Sequence, residues 1–361
     1  MEDGFSSFFA VRKRSKFLFL GCLLLVLLLF TTGCSSDGQE NSSGAIELKL
    51  AHFWPATHPF ETDFVQPWSA AIEKATDGKV KITSYPGETL LKADAMYDGV
   101  VNGIADIGAS CFSYTRGRFP VVEVFELPGI TYKNSKVASK VAWEGIQQLN
   151  PKEVQDTKLM MVLTTGPGDI FAKKPVNELE DLKGMEIRAT GITATTLEKL
   201  GAVPVAMAQS EAYEALSKGV VQGNLAPVEV LKGWKHAEVT DYLIRTPFLY
   251  NTLFFVTMNL DKWNSLPPET QQAIEKVNQE YFEKVAMGLW DKQNEEALRF
   301  ALEEQGMQEI VLSEEETARW KELLKPIQDD YAAKMDGMGL NGQDILKTII
   351  KLAEKYNAEL D

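Results

Sequence analysis

Three histidines, at positions 52, 58 and 236, are all the imidazole that this 361-residue chain carries. None of them stands in an HExxH pair or in a Cys/His spacing that would hold a metal. The sequence has no GxSxG nucleophile elbow, no Walker A loop and no GxGxxG fingerprint, and the GPG at 166–168 is too short to be one. Its many carboxylates fall on predicted helix faces, where they read as solvent charges. No cofactor and no metal is expected, and the chain reads as a binder rather than an enzyme. The residue that invites chemistry is Arg188, in the stretch GMEIRATG at 184–191. Met185 and Ile187 alternate with Glu186 and Arg188 as in a short strand, which then breaks at Gly191. A guanidinium at a strand's C-terminal end is either a surface charge or a clamp. Its planar fork suits a carboxylate, which it can hold through two parallel hydrogen bonds.

Three further stretches offer binding groups. AHFWPATHPFE, at 51–61, places Phe53, Trp54, His58 and Phe60 in the loop after the first predicted strand. SCFSYTRGRFP, at 110–120, places Cys111, Phe112 and Tyr114 after the third. AQS, at 208–210, puts Gln209 at a strand-to-helix junction, where a helix N-terminus favours an anion.

The elements that must position these groups alternate. IELKLAHF reads as a strand, 61–76 as a helix that starts or kinks at Pro67, KVKITSYP as a strand, 92–102 as a short helix and IADIGAS as a strand. That βαβαβ order predicts a mostly parallel sheet with helices on both faces. A second alternation follows a helix near 135–149 and a buried strand at 157–166. It comprises GMEIRAT, a helix stopped by Gly201, AVPVAM, and a helix with Ser210 as N-cap and Gly219 as stop. LFFVTMN, at 253–259, is a returning strand. From Pro268 a helical pattern runs to about residue 304, SEEE at 313–316 opens another helix that Pro326 kinks or divides, and a helix closes the chain. Ligands in open α/β sheets sit beyond the carboxyl ends of strands, and Arg188 is at such an end.

The N-terminus reads as an export signal. Arg12, Lys13, Arg14 and Lys16 precede a 14-residue apolar run, Phe17 to Phe30, too short for the roughly 20 residues of a membrane span. Small residues then end on Cys34, and 35–45 reads as a tether. Without residues 1–33 the formal charge is about −16, against −14 for the whole chain, which argues against nucleic acid as a partner. The small residues ending directly on Cys34 resemble the lipobox of bacterial lipoproteins, which implies cleavage before Cys34 and a lipid on its thiol that anchors the chain to the membrane. Cys22 then goes with the signal and Cys111 is left without a partner for a disulfide.

The chain resembles the solute-binding proteins of tripartite ATP-independent periplasmic (TRAP) transporters, the dicarboxylate-binding family, over about residues 46–350. The markers are HPF, ATDGKVKITSYPGETLL, GVVNGIADIGA, FPVVEVFELPG, KPVNELEDLKGMEIRATG and LGAVPVAMAQSEAYEALSKGVVQGN, in order. The resemblance implies a two-lobed α/β fold of the periplasmic-binding-protein kind (type II-like). Each lobe is a mostly parallel sheet flanked by helices, and a long helix spans both. Residues 46–164 and about 250–285 would form one lobe; 165–249 and about 286–361 would form the other with the C-terminal helices. It implies a receptor that takes an organic acid by its carboxylate and delivers it to the permease subunits. Arg188 would be the clamp, with Trp54, Cys111, Gln209 and Tyr213 at family positions. The runner-up readings are the receptor of an ATP-driven importer and a lipid-anchored sensor. Where some relatives carry a second arginine, this chain has GPGDIF, and Cys111 and Ala226 stand at places of polar readers. An acid with one carboxylate and an apolar or aromatic body is therefore expected, walled by Phe53, Trp54, Phe112 and Tyr114.

Overall fold

The computed structural model describes residues 44–360. The predicted signal at 1–33, Cys34 and the tether up to residue 43 lie outside the described residues. Eleven strands run in chain order: β1 Ile46–His52, β2 Val80–Tyr85, β3 Ile107–Cys111, β4 Thr157–Thr164, β5 Gly168–Ala172, β6 Glu186–Ala189, β7 Val203–Ala206, β8 Gly223–Pro227, β9 Tyr242–Arg245, β10 Leu253–Asn259 and β11 Gln308–Val311. They form two sheets, ordered β2-β1-β3-β10-β4 and β11-β9-β5-β8-β6-β7. Each is parallel except for one strand: β10 runs against β3 and β4, and β5 runs against β8 and β9. The helices Gln66–Ala75, Ser135–Leu149 and Gln209–Lys218 follow the predicted alternation.

The sheet interiors explain the strand choice. In β1, Leu48 and Leu50 are buried while Glu47 and Lys49 face water, the period-2 pattern of a half-covered strand. β3 and β8 are buried along their whole length, as central strands covered on both faces should be. Trp68 is fully buried under the first sheet, and its Nε1–H donates to Asn278 Oδ1 at 3.0 Å.

Three connections cross between the sheets, and two of them are paired. β4 leads into β5 and β9 into β10, and these partners are adjacent in both sheets. Between the sheets the ribbon is held by Thr165 N–H to Thr252 O at 3.0 Å and Gly168 N–H to Tyr250 O at 2.6 Å. The third crossing is helical. Ile274 and Val277 pack with the core of the first sheet, whereas Ala297 and Ala301 pack with the second.

Several expected details change. The uniform helix from Pro268 to about residue 304 is interrupted: wide π-type turns occupy Phe282–Ala286 and Phe300–Glu304, and the chain breaks step at Met287–Gly288 before Leu289–Arg299. Such turns absorb the change of direction where the run leaves one core for the other. The helix from Glu314 to Gly337 passes through Pro326 undivided. Its N-cap is Ser313, whose hydroxyl accepts from Glu316 N–H at 3.1 Å. Ser210 is not a cap. That helix starts at Gln209 after Ala208, and its first N–H donates to the Tyr114 hydroxyl at 3.0 Å instead. The last helix, Gly342–Glu359, lies against Ser135–Leu149 at Gly145, where a Cβ would come within 2.7 Å of both Ile349 and the Phe125 ring.

Candidate ligand-binding site

The carboxyl ends of β1 and β3 face those of β6, β7 and β8 across a narrow cavity of about 20 Å³, so the two sides must part for an organic acid to enter. Six of the nine sequence-derived candidates line it: Phe53, Trp54, Cys111, Tyr114, Arg188 and Gln209. Among the described residues that line the cavity, Arg188 is the one Lys or Arg.

Arg188 is 3 % exposed although it is a full cation. β6 presents it because Ile187 and Ala189 fill the opposite face of the strand as core residues. Its Nε–H donates to the Met207 carbonyl at 3.0 Å, Nη1 to Asn224 Oδ1 at 3.4 Å and Nη2 to the Tyr114 hydroxyl at 3.4 Å. These are neutral acceptors, and they occupy three of five N–H groups. Among the described residues no carboxylate comes within ion-pairing distance of it. A buried guanidinium solvated only by neutral dipoles is strongly favoured by an incoming anion.

Behind the guanidinium runs a neutral relay. Asn224 Nδ2 lies 3.0 Å from His236 Nδ1, and His236 Nε2 lies 2.9 Å from the Gln209 side-chain amide. Burial, and then the Arg188 charge, push the His236 pKa from 6.5 down to about 3, so the ring is neutral. With Asn224 Oδ1 committed to Arg188, its NH₂ donates to Nδ1 and the ring proton sits on Nε2. Gln209 Nε2 stands against that ring nitrogen as drawn, and exchanging the oxygen and nitrogen of its amide lets the Gln209 carbonyl accept the ring proton.

The opposite wall is aromatic. Phe53 stacks on Trp54 at 3.9 Å and Trp54 on Phe60 at 3.7 Å, while Phe254 meets Trp54 edge-on at 5.0 Å. Tyr114 sets its edge to Phe53 at 5.5 Å. Cys111 is sealed beneath: burial, then the nearby Glu126 carboxylate, raise its thiol pKa well above the ordinary value. Burial, and then the neighbouring Cys111, likewise raise Tyr114.

His58 stands just behind the lining. Its Nδ1 accepts from Phe60 N–H at 3.1 Å, and its Nε2 lies 3.3 Å from Glu229 Oε2. Two candidates sit elsewhere. The Phe112 ring turns into the first sheet's core, 4.9 Å from Phe119 and 5.0 Å from Phe255, because its short helical turn points it away from the cleft. Tyr213 is on the outer face of its helix, 36 % exposed, with its hydroxyl donating to Glu238. The lining residues missing from the sequence reading include Glu229, Trp234, Tyr250 and Phe254. Among the described residues no His/Cys/Asp/Glu group is arranged to hold a metal, and no helix is long and apolar enough to cross a membrane.

Comparison with known proteins gives a consistent picture. Residues 50–335 match the family model described as bacterial extracellular solute-binding protein, family 7. The chain is 30 % identical over 272 residues to the C4-dicarboxylate-binding periplasmic protein DctP of Rhodobacter capsulatus, covering 73 % of this chain and 80 % of that one. A TRAP periplasmic solute-binding protein from Desulfovibrio salexigens superimposes with TM-score 0.76 at 34 % identity, covering 88 % of this chain and 98 % of that one. A marine-metagenome TRAP solute-binding protein, specific for aromatic acids and solved with 3-hydroxybenzoate, superimposes with TM-score 0.82 at 31 % identity, covering 87 % and 99 %.

Proposed function

The chain belongs to bacterial extracellular solute-binding protein family 7, and we propose that its ligand is an aromatic monocarboxylate held by Arg188. It is a TRAP-type solute-binding receptor: it takes up an organic acid by its carboxylate and serves a membrane permease. One observation carries the ligand reading. Arg188 is buried at the cavity with N–H groups to spare, no carboxylate of its own and no second lining cation. One charge suits one carboxylate, and the Phe53–Trp54 wall suits a ring. The DctP relative binds C4-dicarboxylates and the marine relative aromatic acids. The single cation and the aromatic wall favour the second class here.

In this reading Phe53, Trp54, Tyr114, Cys111, Gln209 and, from behind, His58 shape the site, while Phe112 and Tyr213 support the fold. Residues 46–164 with about 250–285, and 165–249 with about 286–361, are the lobes that close on the ligand. Closure is a shift toward the state in which both walls touch it. The protein binds without turnover, so product analysis after long incubation should return the ligand unchanged. Cys34 carries the lipid after removal of 1–33; mass spectrometry of the N-terminal peptide from the membrane fraction tests this, and an unmodified Cys34 there would refute it. The ligand is tested by a thermal-shift screen of benzoate, phenylacetate and mandelate against succinate and malate. The aromatic acids should raise Tm by several degrees through mass action. A response to the dicarboxylates alone would overturn the reading.

A further inference from the structure

A second charge faces the same cavity. Glu229 follows β8, is 5 % exposed and lines the pocket with Arg188. Its backbone is pinned by an N–H bond to Asn294 Oδ1 at 2.9 Å. Its side chain is held by His58, and the tautomer follows from the contacts. Phe60 N–H donates to His58 Nδ1, so the ring proton is on Nε2 and donates to Glu229 Oε2. Gly233 makes room for the pair: a Cβ there would lie 2.8 Å from Glu229 Oε2 and 3.1 Å from His58 Nε2. Among the described residues no Lys or Arg pairs with Glu229. Among the described residues its side chain meets one donor, that imidazole, at Oε2. Oε1 can therefore accept from a ligand, and a bond to a carboxylate is of the stronger, charge-assisted kind.

We propose that Glu229, oriented by His58, reads a hydrogen-bond donor on the ligand, so that the preferred ligands are aromatic acids bearing a hydroxyl or amino group away from the carboxylate. This rests on the reading of Arg188 as the carboxylate clamp. The two ends divide the ligand between them: Arg188 takes the anion, and Glu229 takes the donor and rejects rings that carry only an acceptor. Charge-assisted hydrogen bonds of this kind correspond to roughly ten- to a hundredfold in affinity.

Titration calorimetry with benzoate, 3- and 4-hydroxybenzoate, 3-aminobenzoate and 3-methoxybenzoate tests it. Wild type should bind one or more of the hydroxy or amino acids about ten- to a hundredfold more tightly than benzoate, and the methoxy acid more weakly than that donor. The hydroxy and amino arms identify the donor. Glu229→Ala should reduce the preference, read as the ratio of each donor-bearing acid's affinity to that of benzoate in the same variant, to about twofold. Glu229→Gln, which keeps the shape and drops the charge, should leave a few-fold preference and guards against a folding defect in the alanine variant. Equal binding of all five acids by wild type, or an unchanged preference in both variants, overturns the proposal and leaves the Arg188 reading standing. Failure of wild type to bind any aromatic acid overturns both.

Discussion

The two walls of the cavity are built from different chemistry. The first sheet contributes rings and a sealed thiol: Phe53, Trp54, Tyr114, Phe254 and Cys111. The second contributes charge and amides, Arg188, Gln209 and Glu229 with Asn224 and His236 behind, and one ring, Trp234, stacked 6.0 Å from Phe53. Stacked rings gain by area and tolerate small displacements, so they can recognise a class of ligands. A guanidinium backed by a fixed relay demands geometry, so it recognises a group. Neither wall alone encloses an aromatic acid, and the tyrosine that joins them, Tyr114, accepts from Arg188 and from the Gln209 backbone. Under the proposed reading, selectivity needs both walls at once.

The contrast can be broken at each side. Arg188→Ala should weaken binding of benzoate by about two to four orders of magnitude with Tm of the free protein little changed, because two charge-assisted bonds at roughly 1.5–3 kcal/mol each are lost. Calorimetry within tenfold of wild type would remove the clamp. The next effect lies at the crossing ribbon between the walls. Glu126 accepts from Leu253 N–H at 2.7 Å, and burial raises its pKa from 4.5 to about 8. The neutral form is the one the fold favours. Its contribution is full below pH 4.5 and is lost as the pH rises through 8, so stability from this group falls across that window. Glu126→Gln should flatten the fall and raise Tm by several degrees at pH 8.5 but not at pH 4.5; equal shifts at both would refute it. The smallest effect belongs to the apolar side. Phe53→Leu should cost aromatic acids about tenfold, through lost ring contact, while an aliphatic acid of similar size changes little. A tenfold loss for both would show that Phe53 only shapes the cavity.

Much of this was legible in the sequence. Arg188 stood out because a charge interrupted an alternating strand, and the aromatic loop because four rings crowd eight residues, 53–60. The order of elements followed from periodicity and glycine stops, such as Gly219 at φ +74°. What escaped were the groups that tertiary crossing delivers. Glu229 reads as one more helix-face carboxylate until β8 carries it into the cleft, and Tyr250 lies in a crossing segment without a period. Asn224 offered a signal that went unused: an amide within the otherwise apolar strand GNLAP. Phe112 and Tyr213 show the opposite limit, since proximity in sequence to lining residues does not fix which way a ring turns.

The helix Gly342–Glu359 has a consequence for how the chain is made. It packs on Ser135–Leu149, which covers the sheet formed largely by residues 46–164, so that early-synthesised half lacks part of its cover until nearly the whole chain has emerged. The second sheet likewise waits for β11 before its edge is complete. Ending the chain after residue 341 should accordingly leave a product that is degraded or unfolded throughout, measured by limited proteolysis, rather than one with an intact first half.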